Sequence, residues 1–365
     1  MRNILLIPKG FLGDILLTTP VIAALVRARP DTRVSVVCTP QTAEFVKRDP
    51  LVHEVIVYDR RGAHKGWRGL KKFSRLLKSK NFSGAYSFHR SPRTSILLWL
   101  AGISERVGYS DSYLGFLLTR RVAKRADRHE VLRNLSLVVN ELDEVSVRQY
   151  ERLIDAPMES APWADLRVPD VVSERLSDRV LDIVDGSPYV VLSPGSAWET
   201  KRWDGRGFRG VAEILISRGL RVVVVGAPND SRACGEVSDA LRVDNLCGET
   251  SIDELIAVIG GAQCVVCNDS LALHVCSATK TPAVAVFCAT SPRFGFGPWR
   301  NRAVVLEKRD LFCKPCHRHG SRKCPTGTRL CMTGVSVSEV VCAVDTFLGE
   351  KGGAKAADYL PVIES

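Results

Sequence analysis

Four strand-to-loop junctions in this 365-residue chain hold the side chains best suited to chemistry. In the first, Lys9-Gly10-Phe11-Leu12-Gly13-Asp14, glycines let backbone approach a ligand closely, and Asp14 stands where a helix begins. A carboxylate there either caps the helix or faces what binds beyond the strand. The spacing is not GxGxxG, so a dinucleotide fingerprint is not supported. The second junction, Ser193 to Trp203, is a small-residue loop ending in Lys201 and Arg202 between aromatics. Its hydroxyls (Ser196, Thr200), its N–H groups and the point charge of Lys201 suit a diphosphate, or else a solvated surface. The third is Gly226-Ala227-Pro228-Asn229-Asp230, where Asp230 either accepts from ribose hydroxyls or completes a plain turn. The fourth, Asn268-Asp269-Ser270-Leu271-Ala272-Leu273-His274, turns a strand into a helix. Helix N-termini offer free N–H groups and a positive dipole end to anions, and His274 follows one turn on. A helical histidine is equally at home in a purely structural role.

A fifth group lies near the C-terminus: Cys313-x2-Cys316, then Cys324 and Cys331, with His317 and His319 between them. Four thiolates with one CxxC pair have the character of a tetrahedral structural zinc site. The six-residue spacing of the second pair departs from the usual two to four, and free thiols or a redox-labile pair are the alternatives.

The elements that must position these loops alternate strand and helix. Strands are expected at Asn3–Pro8, Arg33–Cys38, Val55–Tyr58 and Ala85–Phe88, with helices at Thr19–Arg29, Thr42–Lys47, Leu70–Lys78 and Arg128–Leu142. The stretch 156–170, rich in Pro and acidic residues, reads as a linker. The rhythm restarts with strands at Tyr189–Leu192, Arg221–Val225, Cys264–Cys267, Ala283–Phe287 and Ala303–Leu306. Helices fall between them at Gly207–Ser217, Ile252–Ile259 and Leu271–Ala278. Unbroken Val/Ile runs suit parallel strands buried on both faces, and the βαβ order makes the crossovers right-handed. Ligands of such sheets bind beyond the carboxyl ends of the strands, where the four junctions lie.

Composition narrows the partners. No apolar run reaches the roughly 20 residues of a membrane span, and Pro8, Lys9 and Asp14 interrupt the N-terminal apolar stretch, so the expected location is the cytoplasm. The twelve cysteines do not read as a secreted disulfide scaffold, and several lie in β-like apolar runs. The net charge of +11 and pI near 9.2 favour anionic partners. From Arg60 to Ser104 there are eleven Lys/Arg and no Asp or Glu. Within that stretch Trp67, Leu70, Phe73, Leu76 and Leu77 recur at helical spacing among cations. That pattern fits a helix lying on an anionic membrane, or a domain helix with its apolar stripe in the core. Nucleic acid is not expected, because no recognition module accompanies the charge.

In this order, the motifs resemble glycosyltransferase family 9, the bacterial ADP-heptose:lipopolysaccharide heptosyltransferases. The resemblance rests on Leu12-Gly13-Asp14-Ile15 with Thr19-Pro20, Ala101-Gly102 with Arg106-Val107-Gly108-Tyr109, and Pro194-Gly195-Ser196 with Lys201-Arg202-Trp203. It continues through Leu246-Cys247-Gly248-Glu249-Thr250, Asn268-Asp269-Ser270 with His274, and Thr281-Pro282 with Phe287. Matches run from residue 1 to about residue 345.

The resemblance implies an α/β fold of GT-B type, two Rossmann-like domains facing a central cleft. The expected bounds are 1–165 for an acceptor-binding domain and 166–335 for a nucleotide-sugar domain. Residues 336–365 would be a final helix crossing back to the first domain and a loose tail from Gly352 to Ser365. The implied reaction is metal-independent, inverting transfer of heptose from ADP-heptose to a lipopolysaccharide inner-core or lipid A acceptor. It would take place in the cytoplasm, at the face of the anionic inner membrane, with no catalytic cofactor. By resemblance Asp14 is the general base and Lys201 stabilises the leaving diphosphate. The donor would be bound by Gly13, Ser196, Thr200, Asp230, Asp269, Ser270, Leu271 and His274. Leu271 departs from the glycine usual there, which leaves open another nucleotide sugar or another cell-surface acceptor. A further alternative is a GT-B pseudoenzyme that binds nucleotide sugar without turnover.

Overall fold

The computed structural model describes residues 2–158 and 160–348. They form two six-stranded parallel sheets, one in each of two compact units that divide the chain at Pro169/Asp170. In the first unit β1 (Asn3–Ile7), β2 (Arg33–Cys38), β3 (Glu54–Val57), β4 (Gly84–Ser87), β5 (Glu105–Tyr109) and β6 (Arg120–Val122) lie in the order β3-β2-β1-β4-β5-β6. The second unit repeats the scheme. Its strands β7 (Tyr189–Ser193), β8 (Arg221–Val224), β9 (Asp244–Asn245), β10 (Cys264–Asn268), β11 (Ala283–Val286) and β12 (Ala303–Leu306) lie in the order β12-β11-β10-β7-β8-β9. Each sheet reverses its winding once, between β1 and β4 and between β7 and β10. The reversal opens a crevice at the carboxyl ends, the usual ligand position in a doubly wound sheet.

Register follows from burial on both faces. Leu5 and Leu6 of β1 sit opposite Ser35 and Val36 of β2 and opposite Ala85 and Tyr86 of β4, and all six are buried. In the second unit Val265 and Val266 of β10 align with Val191 and Leu192 of β7. Cys264 and Cys267 are buried in the same strand as small hydrophobes, as their apolar setting in the sequence indicates.

The basic helix occupies Gly66–Ser79. Leu70, Phe73 and Leu77 pack with Leu5, Ile7 and Leu97 in the first core, so the apolar stripe faces the sheet rather than a lipid surface. Its cations Arg68, Lys71, Lys72, Arg75 and Lys78 are all exposed, as is Trp67.

Three expectations change. The single helix expected over Arg128–Leu142 is shorter, Glu130–Ser136, and a separate helix Glu144–Asp155 follows. Asp143 starts the second one by accepting from the Ser146 N–H at 2.9 Å, which ends continuity with the first. Ahead of both, β5, β6 and the helix Pro92–Leu100 are elements that hydrophobic periodicity does not signal. The stretch read as a linker is packed onto the first unit: Trp163 and Leu166 are buried, and the Arg167 N–H donates to Thr19 Oγ1 at 2.9 Å.

The last described helix, Val337–Leu348, packs on β10–β12 and on the helix Gly205–Ser217, all of the second unit. The tail read from Gly352 to Ser365 lies outside the described residues. Among the described residues no helix is long and apolar enough to cross a membrane.

Candidate functional site

In the first unit β1 ends at the winding reversal and passes through Lys9 and Gly10 into the short helix Leu12–Leu16. A Cβ on Gly10 would stand 3.0 Å from Thr39 Cγ2, so the chain passes close to its neighbour there. Phe11, not Asp14, is the N-cap, and it caps without a side-chain bond. Asp14 lies in the first turn, where a carboxylate is favoured by the helix dipole, and its backbone oxygen accepts from Thr18 Oγ1 at 2.8 Å. Gly13 lies inside the same turn, its carbonyl accepting from the Leu17 N–H.

The Asp14 carboxylate pairs with Lys9 Nζ at 3.3 Å, and Lys9 in turn pairs with Glu130 Oε1 at 2.5 Å. Glu130 meets Arg133 Nε at 2.9 Å, and both side chains are buried. Burial works against the charge on Lys9, yet Glu130 and Asp14 hold its pKa above the usual lysine value. Burial likewise opposes ionisation of Glu130, but the Lys9 and Arg133 cations prevail and bring it down to about 2. His89, beyond β4, is pushed down to about 4 by burial and by the Arg60 and Lys9 cations, so it is neutral at pH 7. Glu130, Arg133 and His89 were not singled out from the sequence. The readable signal was a Glu and an Arg three apart at a helix start, a common surface pattern.

In the second unit the donated residues come together across the reversal between β7 and β10. Lys201 Nζ meets Asp269 Oδ2 at 2.7 Å, and Thr290 Oγ1 donates to the same oxygen at 2.8 Å. Ser196 Oγ donates to the Asp269 backbone oxygen at 3.2 Å. Asn268, fully buried, holds the Ser193–Trp203 loop from both ends. Its Nδ2 donates to Pro194 O at 2.8 Å, and its Oδ1 accepts from the Trp203 N–H at 2.9 Å. Ser270 is the extended N-cap of the helix Leu271–Thr279, makes no side-chain cap bond, and its buried Oγ has no partner among the described residues. Leu271 is half-buried in the first turn, and His274 is buried one turn further on.

Two expected ligand contacts are engaged within the protein. Asp230 pairs with Arg202 at 3.0 Å and accepts from the Ala227 N–H at 3.1 Å. Arg202 also donates to Ser196 O at 2.8 Å, which ties the second and third junctions together. A Cβ on Gly195 would lie 2.3 Å from Asp230 Oδ2, so this approach requires glycine. Thr200 is buried, and its hydroxyl bonds to Ser321: it donates to Ser321 O at 3.1 Å and accepts from the Ser321 N–H at 2.8 Å.

Of the cysteines expected as zinc ligands, Cys331 is buried in the second core. Among the described residues no group of three or more His, Cys, Asp or Glu is gathered as a metal ion requires. Cys316 Sγ points to Ala289 O at 3.9 Å and Cys324 Sγ lies 3.4 Å from Thr326 Oγ1. Cys313 is half-buried. The same segment supports the Lys201 loop: Ser321 clasps Thr200, and Gly320, at φ +78°, packs against Trp198 and Lys201.

The family model for glycosyltransferase family 9 (heptosyltransferase) matches residues 70–326, well over half of the chain. Lipopolysaccharide heptosyltransferase 2 of Escherichia coli strain K12 is 25% identical over 317 residues, 83% of this chain and 87% of the relative. Lipopolysaccharide heptosyltransferase 3 of Escherichia coli is 26% identical over 353 residues, 93% of this chain and 97% of the relative. Among solved structures, a glycosyl transferase family 9 protein from Veillonella parvula DSM 2008 superposes with a TM-score of 0.79 at 23% identity, covering 96% of this chain and 98% of that one. The E. coli ADP-heptose lps heptosyltransferase II superposes with a TM-score of 0.72, also at 23% identity, over 95% and 98%. These likenesses establish the fold as α/β of GT-B type. The chain belongs to glycosyltransferase family 9 and is a glycosyltransferase.

Proposed function

We propose that this enzyme transfers heptose from ADP-heptose to a lipopolysaccharide inner-core acceptor, with inversion and with Asp14 as general base. The observation that carries the reading is the placement of one reactive carboxylate and one cation at the winding reversals of a family 9 chain. Asp14 stands beyond β1, and Lys201 is held beyond β7 by Asp269 from β10. The acceptor hydroxyl gives its proton to Asp14 as its oxygen attacks the anomeric carbon. The bond from that carbon to the diphosphate breaks, and ADP leaves carrying the electron pair. Lys201 and the N–H groups at Ser270–Leu271 meet the charge that develops on the diphosphate, as fixed cations and helix starts do in general. Gly13, Ser196, Thr200, Asp230, Asp269 and His274 complete the donor set in this reading. For Asp230 and Thr200 the support is indirect, since their polar groups order the loops that carry Lys201.

A second reading keeps the chemistry and changes the donor, and Leu271 favours it. A side chain in the first turn of Leu271–Thr279 narrows the approach of the sugar to the helix start. The acceptor is proposed to lie at the cytoplasmic face of an anionic membrane. The exposed cations of Gly66–Ser79 supply charge complementarity through a solvated face, without insertion of the apolar stripe.

The test is ADP release by purified protein with ADP-heptose and truncated lipopolysaccharide acceptors in anionic vesicles. Acceptor-dependent release that slows as salt rises is the expected result. Tight ADP binding without release from any acceptor would rule out this donor–acceptor pair.

Gly320→Ala tests the support of the Lys201 loop. The left-handed backbone and a Cβ 2.9 Å from Trp198 Cβ and 3.0 Å from Lys201 Cγ leave no room for the methyl group. Strain of about 1–3 kcal/mol is expected, with a several-fold rise in donor KM. Unchanged KM and melting temperature would show that the segment does not bear on Lys201.

A further inference from the structure

We propose that Lys9, held by the buried Glu130–Arg133 pair, is a positioning residue for Asp14: it fixes one carboxylate oxygen and supplies the counter-charge. The inference rests on the reading of Asp14 as general base, and it explains how an aspartate at an open strand end is kept in one orientation.

The geometry is a chain of alternating charge. Arg133 Nε lies 2.9 Å from Glu130 Oε2, Glu130 Oε1 lies 2.5 Å from Lys9 Nζ, and Lys9 Nζ lies 3.3 Å from Asp14 Oδ1. The inner pair is buried, at 0% for the Arg133 side chain and 2% for Glu130, and the outer pair is partly exposed, at 25% for Lys9 and 18% for Asp14. The buried end is rigid because both partners start one helix, Glu130–Ser136, which packs on the helix Thr19–Ala28. Lysine is a flexible point charge, and without Glu130 its ammonium would wander into solvent. With Glu130 in place, Nζ is pinned on the Oδ1 side of Asp14, so Oδ2 is the oxygen presented to the acceptor hydroxyl. The two carboxylates and two cations sum to zero, which lessens the desolvation cost of a buried ion cluster.

Two members of the chain are held in their charged forms, Lys9 by Glu130 and Asp14, and Glu130 by Lys9 and Arg133. Glu130 is depressed to about 2 although burial opposes its ionisation, so its contribution to stability is complete above the unfolded value near 4.3. That contribution is lost only as pH falls toward 2. Other groups face the chain. His89, next to Lys9 and Arg60, is down near 4. Tyr109, which faces Glu130, Arg133 and Asp111, is driven up by burial. Lys124 acts on Glu130 and lies 4.8 Å from the Tyr109 ring.

The experiment measures kcat, donor and acceptor KM and ADP affinity for wild type, Lys9→Met, Lys9→Arg and Asp14→Asn, with melting temperatures measured alongside. Loss of a positioning contact should lower kcat about tenfold in Lys9→Met while donor KM and ADP affinity stay unchanged. Lys9→Arg should restore most of the rate. If Lys9→Met fails to fold, Lys9→Gln keeps a donor for Glu130 and reads the same split between kcat and KM. Wild-type kcat in a folded Lys9→Met or Lys9→Gln protein overturns the inference while leaving Asp14 as base. Full activity in Asp14→Asn would instead overturn the base assignment itself.

Discussion

Asp14→Asn is expected to lower kcat by about 10³-fold, within the 10²–10⁴ typical of general acid–base catalysis. The substitution keeps shape and removes the lone-pair basicity that takes the acceptor proton. Apart from Gly13, the proposed donor set is in the second unit, so ADP affinity should stay within about twofold. Stability should change little, because Lys9 keeps its contact with the buried Glu130 when Asp14 loses its charge. Asp14→Ala should show the same loss. The measurement is acceptor-dependent ADP release under single-turnover conditions, with ADP binding by calorimetry. Loss of binding together with loss of rate would point to a misfolded protein rather than a missing base, and wild-type turnover would remove Asp14 from the mechanism.

Lys201→Met should have two separable effects. The first is a fall in kcat of about 10²–10³, the usual result of deleting one group aimed at developing charge. The second is structural. Asp269 is buried and pairs with Lys201 at 2.7 Å, and deleting the cation leaves a buried carboxylate supported by the Thr290 hydroxyl. Breaking a buried pair from one side costs about 3–5 kcal/mol. A domain of this size shifts about 2–4 °C per kcal/mol, so the melting temperature should fall by about 6–20 °C. Lys201→Met with Asp269→Asn removes both charges and should recover most of the stability. It should not recover the rate, and that divergence distinguishes a catalytic cation from a structural one. A double variant restored in both would mean that Lys201 serves only the fold.

An element is legible in the sequence to the extent that its own residues determine it. β2 was legible at both ends, because Arg33–Cys38 is an apolar β-branched run bounded by turn residues. β8, β10 and β11 were legible for the same reason, being buried on both faces. β5 and β6 were not. Glu105-Arg106-Val107-Gly108-Tyr109 and Arg120-Arg121-Val122 are polar or charged at most positions, and they are strands because a neighbouring edge accepts them. The helix Pro92–Leu100 mixes Thr94 and Ser95 into its buried face, which blurs its period. The apolar stripe of Gly66–Ser79 was plain, but whether it faced a sheet or a membrane depended on what stood opposite.

The functional residues divide in the same way. Asp14, Lys201, Asp269 and Ser270 could be read because each lies at the end of a recognisable strand, and strand ends in a doubly wound sheet are where ligands meet the protein. That Lys201 pairs with Asp269, that Arg202 holds Asp230, and that Glu130 holds Lys9 depends on residues far apart in sequence meeting in the folded chain. The cysteine segment is a further case. Packing places Cys331 in the core and sets Ser321 and Gly320 against the Lys201 loop, contacts that its cysteine spacing does not encode. Local pattern determined which residues stand at the strand ends, because hydrophobic periodicity and turn chemistry act over a few residues. Partners and charge states were decided by tertiary structure, because Coulomb energy and desolvation depend on distance and burial, which spacing along the chain does not encode.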